Sequence, residues 1–171
     1  MNMRLNVLQA KQQVGVVVPF RFDIAGQDLD LGDAVPWRGM VAVEGGLVDT
    51  GRYLEVAGSI RADGDFECGR CLESMCMAVT ADFAERFVAD GTTPNQADGD
   101  VGFYSGEELD ITELVRETLL LAEPLTPVCS QECLGLCPQC GLNLNKDCCS
   151  CDRGAVDSRL AVLSTLLKAD K

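Results

Sequence analysis

The chain has 171 residues, 47% of them apolar and only 5% aromatic, with a formal net charge of −13 and no histidine. Such a charge argues against broad docking on nucleic acid, where Lys and Arg supply most of the affinity, and suits a basic protein partner. Without histidine every Ser-His, Cys-His and His-ligand mechanism is excluded, and a four-coordinate zinc site must be built mainly from cysteine.

Residues 1–13 carry one early arginine and no continuous apolar segment, which excludes a signal peptide. No apolar run is long enough to span a bilayer. The chain is therefore expected in the cytoplasm, away from membranes, where thiols stay reduced and ten cysteines favour metal over disulfides. Residues 2–12 fit a short strand or a short helix. Val14, Val16, Val18, Phe20 and Phe22 alternate, which predicts a strand with one buried face. Pro19 inside it marks an edge strand or a bulge. Residues 23–33 read as an acidic loop. Residues 37–49 predict a second strand, weakened at Gly45-Gly46, and Asp49-Thr50-Gly51-Arg52 predicts a turn. Tyr53, Leu54, Val56, Ala57 and Ile60 predict a third strand, with a turn at Asp63-Gly64-Asp65. Cys68-Gly69-Arg70-Cys71 then falls at a hairpin-like turn. Residues 75–88 resume the alternation, with Met77, Val79, Ala81, Phe83 and Phe87 inward. This spacing describes an antiparallel meander over residues 1–89.

Residues 90–109 read as an acidic linker, and residues 98–123 hold eight acidic side chains against Arg116 alone. Over 110–128 a helix is expected to pack on the sheet. Asp110 is its N-cap with Glu113 three residues on. Ile111, Leu114, Val115, Leu119 and Ala122 form its apolar stripe, and Pro124 and Pro127 end it. Residues 129–171 form a cysteine-rich segment. It closes with a helix capped by Asp157 that carries Leu160, Leu163, Leu166 and Leu167 at helical spacing. The fold class is α+β: an antiparallel β meander, open or curled towards a barrel, packed with one helix, plus a C-terminal zinc-knuckle segment and a terminal helix.

Seven of the ten cysteines lie within residues 129–151. Cys137-Pro138-Gln139-Cys140-Gly141 has the form of a metal knuckle, in which two thiolates three positions apart face one ion and the glycine allows a positive φ. Four cysteine pairs can be formed: Cys68/Cys71, Cys129/Cys133, Cys137/Cys140 and Cys149/Cys151. Cys76 and Cys148 are left over. Cys137/Cys140 need a second pair one short loop away. Cys149/Cys151 supply it, with Cys148 as an alternative ligand because Cys148-x-x-Cys151 is also knuckle spacing. Cys68/Cys71 need a distant partner, which Cys129/Cys133 provide if the helix packs on the sheet. That site would clamp the C-terminal part to the β domain. Spacing alone leaves open two four-cysteine sites, a single site in the C-terminal cluster, or no metal, with thioredoxin-like redox chemistry at C-P-Q-C as the rival reading. Four protein ligands leave no open position for water, which signals a structural role rather than catalysis. Zinc is the default ion, and iron suits four thiolates as well. No paired catalytic motif and no Gly-rich phosphate loop is present, so no enzymatic activity is expected.

The chain also carries Cys68-Gly69-Arg70-Cys71-Leu72-Glu73 and Asp110-Ile111-Thr112-Glu113-Leu114-Val115-Arg116-Glu117, followed by Pro124-Leu125-Thr126-Pro127-Val128-Cys129. Further on come Gly135-Leu136-Cys137-Pro138-Gln139-Cys140-Gly141-Leu142-Asn143-Leu144-Asn145 and Asp157-Ser158-Arg159-Leu160-Ala161-Val162-Leu163. In this order the strings resemble the YceD family, the large ribosomal RNA subunit accumulation proteins of bacteria, with relatives in plant plastids. The likeness spans about residues 68–167; before it only the strand pattern agrees. The resemblance implies a role in synthesis, processing or stability of large-subunit (23S) ribosomal RNA, with no established enzymatic activity. It implies pairing of the central C-x-R-C with a pair near Cys129 and Cys133, since members without the C-terminal cluster keep both. The family's terminal C-x-C falls on Cys149 and Cys151. The chain departs from the family at Cys148 and at Ser158, where a proline is common. Three roles compete. The first is a non-catalytic factor contacting the ribosome-assembly machinery or a basic large-subunit ribosomal protein. The second is a zinc-dependent RNA-binding module using Arg70, Arg116 and Arg153. The third is a thiol or zinc-release redox sensor.

Overall fold

The computed structural model of the chain describes residues 2–29, 31, 37–92 and 101–151. They fall into two compact units, one from Met1–Glu67 with Ser74–Pro127, the other from Cys68–Glu73 with Val128–Lys171. The expected terminal helix lies outside the described residues.

In the first unit, residues 2–12 hold both of the expected alternatives. Strand β1 (Arg4–Asn6) runs into helix α1 (Val7–Lys11), and Asn6 Oδ1 caps the helix by accepting from Gln9 N at 3.1 Å. Strand β2 spans Val17–Ala25. It starts later than the alternation suggested: Gly15 turns the chain at φ +82°, leaving Val14 and Val16 outside the strand and exposed. Inside β2 the inward positions are Val18, Phe20, Phe22 and Ile24. A short 3₁₀ turn (Gly26–Leu29) occupies part of the expected loop.

Strands β3 (Trp37–Asp49), β4 (Leu54–Glu67) and β5 (Ser74–Ala89) follow as an antiparallel meander. Asp49 Oδ1 accepts from Gly51 N at 2.7 Å in the turn between the first two. The turn expected at Asp63-Gly64-Asp65 is instead ordinary strand, paired with Ala78, Met77 and Cys76. Gly64 faces inward while both aspartates face out, and Asp65 pairs with Arg38, so the period of two continues through a sequence that locally spells a turn.

Two more strands, β6 (Gly102–Tyr104) and β7 (Glu108–Asp110), form within the stretch read as linker. The sheet order is β2-β3-β4-β5-β6, with β6 parallel to β5, and β7 pairs separately with β1. The sheet is open, not a barrel, and Pro19 sits on its edge strand β2, where a missing N–H is tolerated.

Helix α2 covers Thr112–Leu121 and packs on β5. Its expected capping box is absent. Asp110 ends β7, and its Oδ1 accepts from Thr112 N at 2.9 Å, while Ile111 occupies the N-cap without a side-chain bond. Glu113 instead pairs with Arg116 at 2.7 Å. Ile111, Val115 and Leu119 are fully buried with Met3, Val41, Val43 and Val56. Met3 N donates to Thr112 Oγ1 (2.8 Å) and Ile111 N donates to Met3 O (2.9 Å), which fixes the N-terminus at the start of α2. No polar or charged residue is buried among the described residues.

Candidate metal centre

The second unit begins as a turn between β4 and β5. Leu72 N donates to Cys68 O (2.9 Å) and Cys68 N donates to Glu73 O (2.9 Å). Residues 137–142 repeat the arrangement: Gly141 N donates to Cys137 O and Cys137 N to Leu142 O, both at 2.8 Å. The residue after the second cysteine has a positive φ in each, +59° at Leu72 and +72° at Gly141. These are two copies of one knuckle, each turning a Cys-x-x-Cys pair to one side.

Each knuckle meets a second pair. Cys68, Cys71, Cys129 and Cys133 bring their Sγ atoms within 4.8 Å of one another, as do Cys137, Cys140, Cys149 and Cys151. Cys68–Cys133 and Cys71–Cys129 stand at 3.9 and 3.7 Å. Tetrahedral Zn–S bonds near 2.3 Å place sulfurs about 3.8 Å apart, whereas a disulfide needs about 2 Å. All ten cysteines are free thiols. The two sets can each hold a metal ion, and soft thiolates in fours are compatible with zinc. Cys149 joins the second set, while Cys148 is exposed and outside it. Cys76 is exposed on β5 and belongs to neither. Because Cys68–Glu73 groups with Val128–Lys171, all eight cysteines lie in one unit.

The electrostatics single out one lead thiol per set. Backbone N–H groups of Cys129, Cys71 and Arg70 point at Cys68 and lower it from the ordinary 9.0 to about 6. The N–H groups of Cys140 and Gln139 likewise lower Cys137 to about 6. Cys129 is pushed up to about 12, first by Cys133 and then by Cys71 and Cys68, and Cys151 to about 12, first by Cys140. Burial works against Cys133, yet hydrogen bonds from Asn145 and the Gly135 N–H hold it below its ordinary value. Four sulfurs this close cannot all ionise without a cation among them.

A second layer of side chains holds the cysteines in place, and sequence reasoning assigned it no such role. Asn145 Nδ2 donates to Cys133 Sγ (3.3 Å), while its Oδ1 accepts from Leu134 N (2.8 Å). Asn145 Nδ2 also reaches Asn143 Oδ1 (2.9 Å), and Asn143 donates to Glu73 (3.1 Å). Lys146 pairs with Glu73 at 2.6 Å and, with Asn143, holds that carboxyl below its usual range. Arg70, midway in the first knuckle, donates to the carbonyls of Gln131 (3.1 Å) and Cys133 (3.2 Å), and its own carbonyl accepts from Leu136 N (3.1 Å). Gly135 sits at φ +73°, and a Cβ there would lie 3.1 Å from the Arg70 carbonyl. The one visible signal was the G-L-N-L-N string, whose asparagines turn out to serve the other knuckle. Of the arginines considered for RNA, Arg70 is committed to backbone carbonyls and Arg116 to Glu113, and Arg153 lies outside the described residues. No helix starts at C-P-Q-C, which removes the thioredoxin-like context.

An open strand-rich sheet and a unit with two four-thiol sets define the class: an α+β protein with paired cysteine knuckles. The chain belongs to the YceD family, whose model, described as Large ribosomal RNA subunit accumulation protein YceD, matches residues 56–167. An uncharacterised protein of Mycobacterium tuberculosis is 30% identical over 150 residues, covering 75% of this chain and 72% of the relative. A chloroplastic protein of Arabidopsis thaliana, named Large ribosomal RNA subunit accumulation protein YCED homolog 1, is 37% identical over 60 residues, 35% of this chain and 19% of the relative. An uncharacterised Mycobacterium leprae protein is 23% identical over 112 residues, 64% of this chain and 52% of the relative. No solved structure gives a significant match. Among the described residues no helix is long and apolar enough to cross a membrane.

Proposed function

We propose that the chain is a non-catalytic cytoplasmic factor in ribosome biogenesis that supports synthesis, processing or stability of large-subunit ribosomal RNA. Family membership carries this reading: the family is named for accumulation of that RNA and not for an enzymatic reaction. The factor works through contacts with the ribosome-assembly machinery or with a basic large-subunit ribosomal protein. The net charge of −13 supports a basic protein partner over direct RNA docking.

In this reading Cys68, Cys71, Cys129 and Cys133 hold one zinc ion, and Cys137, Cys140, Cys149 and Cys151 a second. The ions serve as cross-links that stabilise a unit with little core of its own. Arg70, Asn143 and Asn145 fix the positions of the knuckles and the orientation of Cys133 whatever ion is held. Deletion in the native host should lower the ratio of large- to small-subunit ribosomal RNA, and the wild-type gene should restore it. An unchanged ratio, with no precursor particle recovered by the tagged protein, overturns the reading.

A further inference from the structure

A groove runs beside α2 in the first unit. Its larger part has a volume of about 470 Å³ and an apolar lining that includes Phe83, Leu114 and Ala122. A second hollow of about 280 Å³ continues it, sharing Glu85, Leu114 and Glu117 and reaching Phe87 and Val101. Leu121 at its mouth is 88% exposed and extends the apolar surface of the groove to the end of α2. The charged side chains that α2 and the Phe83 face of β5 present to the two hollows are acidic: Glu85, Glu113 and Glu117. Glu113 is paired with Arg116, but Glu117 has no cationic partner among the described residues.

We infer that this groove is a docking site for a basic amphipathic helix of a protein partner. The inference rests on the reading of the chain as a protein-contacting factor and names the surface and the chemistry of the partner. An apolar lining calls for leucine-like anchors at i, i+3, i+4 and i+7. The acidic rim calls for Lys or Arg flanking them, and it repels phosphate backbones and anionic lipid alike. The ten residues of α2 make the groove about 15 Å long, enough for about three turns of the incoming helix. The thiol sets take no part in it.

The test uses the full chain loaded with zinc and a fluorescein-labelled 14-residue Leu/Lys peptide with leucines at that spacing. Anisotropy titration should show binding that weakens with salt. A scrambled peptide of equal charge should bind at least tenfold more weakly. Leu121→Lys and Glu117→Lys should each weaken binding at least about fivefold, and since both positions are exposed their melting temperatures should match wild type. Equal binding of the scrambled peptide, or no effect of Leu121→Lys at unchanged melting temperature, overturns the inference. Self-association of the wild-type chain that Leu121→Lys abolishes would overturn it too, by assigning the groove to a second copy. Recovery of precursor particles by the wild-type chain is scored separately, so failure of the groove and failure of the ribosomal role are told apart.

Discussion

Leu72 occupies, at φ +59°, the position that Gly141 fills at +72° in the second knuckle. A branched side chain there is strained by roughly 1–2 kcal/mol, because its Cβ approaches the following carbonyl. Leu72→Gly should therefore raise stability to urea by about 0.5–1 kcal/mol after the added freedom of the unfolded chain is subtracted, and Gly141→Leu should lower it. A loss of stability on Leu72→Gly would show that the exposed leucine makes a contact that outweighs its strain. Asn145 poses a different question at the same scale, since its side chain serves Cys133 and the Leu134 N–H together. Replacing it with Ala leaves the thiolate with the Gly135 N–H but no side-chain donor and should weaken metal retention at the first set about tenfold, in the range usual for ligand-supporting residues. A chelator competition should find one ion lost early and the other unchanged. Equal weakening of both ions would contradict the assignment of Asn145 to the first set.

Among the elements, the β3–β4 pair turns on a glycine. Gly45 and Gly58 are opposite one another, and a Cβ on Gly58 would meet the Glu44 carbonyl and, at 2.8 Å, the ring of Phe83. Gly58→Ala should cost about 1–3 kcal/mol, as overpacking does, read as a lowered urea midpoint with unchanged slope; a neutral effect would mean the strands separate more easily than their pairing suggests. Gly45-Gly46 reads as a weakness in the sequence alone, which does not show that a Cβ on Gly45 would meet the ring of Phe20 and one on Gly46 the side chain of Val17. The strands were legible because one face of the sheet is buried and the period of two survives in Phe20, Phe22, Val79 and Phe83. Asp63-Gly64-Asp65 was misread because local turn chemistry was overridden by pairing with β5. Three-residue strands such as β6 and β7 are too short to show any period. The cysteine sets were legible for the opposite reason: ligand spacing is short, specific and independent of packing. Their supporting asparagines were not, because Asn145 acts on a cysteine 12 positions away.

At the scale of the whole molecule the two sets should behave as separate sites with a shared pH dependence. Metal analysis should give two ions per chain, falling to one in Cys71→Ser and to one in Cys140→Ser. An unchanged count in the first variant would exclude Cys68 and Cys71 as a ligand pair. Protons compete with the metal for every thiolate, so affinity must fall with pH, and the lead thiols fix where. Cys68 and Cys137 have folded values near 6, below the ordinary 9.0. Without metal, each therefore contributes stability that is present above 9.0 and lost as pH falls through 6. Cys129 and Cys151, raised to about 12, contribute stability that is present below 9.0 and lost as pH rises through 12. These four thiols together favour the metal-free fold most near pH 9. With metal bound, the ion replaces the protons, and above pH 6 each set offers one thiolate already formed. Below pH 6 that thiolate is protonated as well, one more proton must leave for each ion taken up, and affinity should fall more steeply. Zinc release to a chromogenic chelator, followed from pH 8 to pH 5, should steepen below about pH 6 at both sets. A release curve of constant slope across that range would mean that the backbone N–H groups around Cys68 and Cys137 do not hold a thiolate ready for the metal.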